Sequence, residues 1–67
     1  MWKIDDYTIV NYVLVGDRIQ WKNQIILVKD VIDEGDFIKI IGEEDSWLEE
    51  VEVFIPDCST VPLMVQD

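Results

Sequence analysis

The stretch from Val15 to Gly42 admits few folds, because its β-branched and aromatic runs are cut at short intervals by Lys22-Asn23 and by Asp33-Glu34-Gly35-Asp36. Runs of this length between turn-forming residues read as strands, and such brief interruptions make successive strands antiparallel neighbours. Three strands are therefore predicted. In the first, Ile19 and Trp21 alternate with Arg18 and Gln20. The second, Gln24 to about Ile32, is apolar on both faces through Ile25-Ile26-Leu27-Val28, which suits a bent strand whose halves serve different sides of a core. Phe37 to Ile41 returns as the third. Asn23 tolerates positive φ in the first turn, and Gly35 takes the left-handed position in the second.

The flanks extend this meander. Tyr7 to Val15 has strong β propensity without clean alternation, so residues 1–14 form a lead-in strand or arm. Gly42 to Ser46 reads as a polar loop. Beyond it Val51, Val53 and Ile55 share one strand face and Glu50, Glu52 and Phe54 the other, although Leu48 to Val51 also fits a single helical turn. Pro56-Asp57-Cys58-Ser59 has the composition of a short turn or 3-10 turn. Val61 to Val65 supplies a last strand, and Pro62 implies an edge position for it. The expected fold is all-β: one domain spanning 1–67, an antiparallel barrel of five strands, or six, with a short 3-10 turn before the last strand and its core at about 15–65.

Sixty-seven residues hold one small core, since a chain this short buries only about 60% of the surface its unfolded form exposes. Histidine is absent and Cys58 is the only cysteine. Thiolate and imidazole metal sites, an internal disulfide, and Ser-His or Cys-His nucleophile pairs are thereby excluded. No catalytic residue, cofactor or metal is expected. The acidic run Asp30 to Asp36 resembles what hard cations favour, but its spacing is not that of an EF-hand and a turn explains the same residues. Cys58 reads as a small packed residue near a turn. The N-terminus turns acidic before an apolar segment develops, and no apolar run approaches the roughly 20 residues of a membrane span, so a cytoplasmic location is expected.

The formal charge of −10 is unevenly placed. Residues 1–29 sum to +1, residues 30–57 to −10, and the last ten to −1. Carboxylates at that density attract basic protein surfaces and repel DNA and RNA.

With its Val15-Gly16-Asp17-Arg18-Ile19-x-Trp21 opening, long bent second strand and short turn before the last strand, the chain resembles the SH3-like small β-barrels of short bacterial and phage-encoded proteins. The resemblance covers about residues 15–65 and implies architecture alone, since such barrels host many unrelated functions. The Ala-Leu-Tyr-Asp-Tyr run of signalling SH3 domains has no counterpart here. The KOW type wants more glycines and a basic face.

These observations lead to a non-enzymatic acidic module that binds a basic surface on another protein. Glu43, Glu44, Asp45, Glu49, Glu50 and Glu52 are expected to steer the partner, Trp47 to anchor it, and Phe54 to contribute an exposed contact. In its sharpest form this is a phage-type nucleic-acid mimic that occupies the basic surface of a host polymerase, nuclease or DNA-binding protein, as a monomer or weak homodimer. Direct nucleic-acid and membrane binding are not expected. The bland alternative is an acidic surface that keeps a 49% apolar chain in solution. A third reading is a small assembly subunit that self-associates through an edge strand and Phe54.

Overall fold

The computed structural model describes residues 1–46 and 49–67. Six strands, β1 (Trp2–Ile9), β2 (Arg18–Trp21), β3 (Gln24–Asp33), β4 (Phe37–Glu44), β5 (Glu50–Pro56) and β6 (Thr60–Gln66), form one antiparallel sheet in the order β1-β6-β2-β3-β4-β5.

Local chemistry accounts for the meander. Lys22 and Asn23 both take positive φ, 48° and 68°, the conformation a two-residue hairpin turn requires to match strand twist. Gly35 lies at φ 91° in the next turn. The register of β3 against β4 shifts between Val28 and Asp30, and this bulge at Lys29 bends the strand. Ile26 and Val28 are therefore buried before the bend, while Val31 packs on the core after it.

The expected barrel is not formed. Among the described residues β1 and β5 stand at opposite edges of the sheet and do not pair with each other. Curvature nevertheless brings distant parts together. In a flat sheet β1 and β4 would lie about 19 Å apart at a spacing of ~4.8 Å per strand. Yet Trp2 Nε1 donates a 2.7 Å hydrogen bond to Asp45 Oδ2 just past the end of β4.

Three local expectations also change. The 3-10 turn lies at Val10–Tyr12, after β1, rather than before the last strand. Ahead of β6 the chain makes a turn in which Ser59 N–H donates to Pro56 O at 3.1 Å, and Cys58 sits at φ 63°, on the left-handed side that a right-handed 3-10 turn cannot use. β6 is not an edge: it lies between β1 and β2, with Pro62 opposite Tyr7. Its pairing with β2 is short, bringing only Ile19 opposite Leu63, so a strand containing proline is accommodated there. Finally, β4 runs on through Glu44, so the predicted polar loop from Gly42 begins later.

The core is aliphatic. Ile19, Ile26, Ile38, Ile40, Ile55 and Val61 are completely buried, each contributing roughly 1.5–3 kcal/mol by removal from water. Val10 and Val13 join them from the segment between β1 and β2, so the lead-in is part of the core rather than an arm. Val10 N–H donates to Ser59 O, and Asn11 fixes the β5–β6 turn by donating to Asp57 Oδ1 and accepting from Cys58 N–H.

Candidate protein-binding face

Directly opposed residues of paired antiparallel strands share a face. On the side of β3, β4 and β5 away from the core, register therefore sets out three rows: Leu27, Glu43 and Glu50; Asp30, Ile41 and Glu52; Ile32, Lys39 and Phe54. Alternation in β5 divides the strand as its sequence implied. Ile55 is buried and Val51 and Val53 pack on the core, whereas Glu50, Glu52 and Phe54 are exposed, Phe54 by 52%.

This face brings together part of the expected set. Glu43, Glu50, Glu52 and Phe54 are neighbours on it, and Glu49 is exposed just before β5. Glu44 is not on it. Strand alternation turns it to the core side opposite Ile26, where only 5% remains exposed, so it cannot steer a partner. Asp45 is half-buried and engaged by Trp2, which removes it from the outward acidic set. Trp47 lies outside the described residues.

Two lysines modify the field of this face. Lys29 pairs with Glu43, and Lys39 Nζ lies 3.5 Å from Glu52 Oε1 and 6.0 Å from the centre of the Phe54 ring. Glu50, opposite Glu43, has no ion pair among the described residues. Beside the charges lie Leu27, Ile32, Ile41 and Phe54, so the surface is a mixed apolar and acidic one. The placement of Lys39 between two apolar positions was visible in the sequence; its neighbours Glu52 and Phe54 were not.

The remaining acids of the segment gather at one end. Asp57 N–H donates to Asp36 O at 2.9 Å, which joins the β5–β6 turn to the β3–β4 turn carrying Asp33 and Glu34. Asp33 Oδ1 accepts from Gly35 N–H, so this carboxylate serves its own backbone, as turn residues do; Asp30, within β3 on the outward face, accepts from Val31 N–H beside the bulge. Cys58 is exposed rather than packed, and its Sγ lies 3.5 Å from Asp57 Oδ2. Hydrogen bonding to that carboxylate, with its negative charge, raises the thiol pKa above its ordinary value.

A groove of about 350 Å³ lies elsewhere, between Trp2, Asp5, Asp17, Arg18 and the segment from Leu63 to Gln66. The Arg18 guanidinium stacks 5.0 Å from the centre of the Trp2 ring. Sequence reasoning did not find it, because its walls come from both ends of the chain and from β2.

Fold and surface together define a small all-β protein with a single open sheet and an acidic, partly apolar outward face. No protein-family model, curated protein or solved structure matches the chain. Among the described residues no helix is long and apolar enough to cross a membrane.

Proposed function

We propose that this chain is a non-enzymatic binding module that engages a basic surface of another protein through Glu43, Glu49, Glu50, Glu52 and Phe54. The observation that carries the reading is the grouping of Glu43, Glu50, Glu52 and Phe54 on one outward face beside an open sheet edge. Carboxylates there steer a cationic partner, and the apolar residues between them supply contact area that becomes dry on binding. A nucleic-acid-handling protein is the partner class that such a face suits best, with the module standing in for phosphates. The bent β3 and the short turn before β6 support an SH3-like reading of β2 to β6 as the scaffold.

The test is capture from a bacterial lysate by the tagged protein, with washes at low and high salt and with competing duplex DNA. A basic protein released by salt and by duplex is expected, and the triple change Glu49→Lys, Glu50→Lys, Glu52→Lys should abolish its capture. Equal capture by that variant sinks the reading.

Self-association as an assembly subunit is the second reading. Ile4, Tyr7 and Ile9 on the edge strand β1 are 45%, 58% and 40% exposed, which favours it. Sedimentation that shows a dimer at every salt concentration would support it, because apolar contacts are not screened as ion steering is.

A further inference from the structure

We infer that the partner segment is an extended strand with alternating basic and apolar residues, added antiparallel to the open edge of β5. This inference rests on the proposed function and specifies which part of a basic partner is held.

The two sheet edges differ in fitness for this. β1 is interrupted: its register against β6 shifts between Ile4 and Asp6, which leaves a bulge at Asp5, the kind of irregularity that blunts an edge. β5 is regular. It pairs with β4 through seven consecutive positions, from Phe37↔Pro56 to Glu43↔Glu50, without a shift. Among the described residues no strand lies on its other side, so its outward backbone groups are open to a further strand.

Side chains on β5 specify what that strand must carry. Val51 and Val53 are only partly buried against the core, so an added strand would cover them with side chains on its inward face. Those positions call for apolar residues. On the outward face Glu50 and Glu52 are exposed, and every second residue of the added strand lies beside them. Those positions call for Lys or Arg. A second copy of β5 is a poorer match, because antiparallel pairing about Val51 sets Glu50 against Glu52 of the other copy, and pairing about Val53 sets Glu52 against Phe54; neither register offers the glutamates a cation. Edge glutamates thus protect against self-association while remaining attractive to a basic strand.

The experiment titrates isotopically labelled protein with three synthetic nonapeptides: alternating Lys-Val, a scramble of the same composition, and the alternating peptide N-methylated along one edge. The alternating peptide should bind at least tenfold more tightly than either control and should slow hydrogen exchange at alternate amides of β5. Glu50→Lys with Glu52→Lys should weaken it at least tenfold. Equal binding of the scramble, or binding without protection of β5 amides, overturns strand addition while leaving charge-driven binding intact. No binding of any peptide likewise overturns strand addition, and the lysate capture then decides the broader reading separately.

Discussion

The indole N–H of Trp2, in the first strand, donates to the carboxylate of Asp45, which follows the fourth strand, at 2.7 Å. The ring also carries the Arg18 guanidinium at 5.0 Å from its centre. One side chain therefore ties an edge of the sheet to a turn four places along the strand order, where no backbone ladder does so. A double-mutant cycle of Trp2→Phe and Asp45→Ala, followed by urea unfolding, should give a coupling of about 1 kcal/mol, typical for a partly buried hydrogen bond. Strict additivity would mean that the contact holds nothing together.

Gly42 is set by close approach rather than by a turn. A Cβ at this position would lie 2.2 Å from Leu27 O and 2.7 Å from Ile26 Cγ2, so the β3–β4 ladder would have to move. Gly42→Ala should cost about 2–3 kcal/mol, at the upper end for overpacking. Loss of less than ~0.5 kcal/mol in a denaturation curve would show that the bulge at Lys29 absorbs the strain.

Salt should stabilise the fold. Fifteen acids against five bases repel one another within a molecule of 10.8 Å radius of gyration, and Glu43 stands opposite Glu50. Raising ionic strength from 0.01 M to 0.15 M shortens the Debye length from about 30 Å to about 8 Å. An upward shift in Tm of about 4–8 °C, equivalent to ~1 kcal/mol in a domain of this size, is expected by calorimetry. A falling Tm would mean that the Lys29–Glu43 and Lys39–Glu52 pairs outweigh the repulsion.

The Cys58 thiol is held above its ordinary pKa by its hydrogen bond to Asp57 and by that carboxylate's charge. The folded protein thus keeps the proton to higher pH than the unfolded chain, so any stabilisation from this pair is present at low pH and lost as pH rises through the folded value. Alkylation of Cys58 should accordingly be slower than that of a free thiol at pH 8, and Asp57→Asn should accelerate it. An unchanged rate in that variant would remove Asp57 as the cause.

Much of the meander was legible because its signals are local. Positive φ at Asn23 and Gly35 is a matter of each residue's own sterics, whereas Lys22 is held there by closure of the hairpin; the two sides of β5 follow from a period of two, which needs no knowledge of the partner strand. Three of the five residues proposed for the site were legible for the same reason: Glu50, Glu52 and Phe54 share a face by alternation alone. Glu44 and Asp45 were not legible in the same way: β4 continues past Gly42 and pairing with Ile26 turns Glu44 inward, while Asp45 is engaged by the Trp2 indole from the far end of the chain.

An all-β chain, hairpin turns at Lys22-Asn23 and at Asp33 to Asp36, a bent β3 and the concentration of negative charge in residues 30–57 are written into the order of residues. Tertiary structure alone decided that β6 enters between β1 and β2, that Val10 and Val13 complete the core, and that the sheet stays open with β5 at one edge. It also decided which carboxylates face outward and which lysines answer them. The division has a physical cause. Backbone sterics and side-chain alternation act between residues adjacent in the chain, whereas strand order, burial and charge pairing depend on which distant segments share the same core.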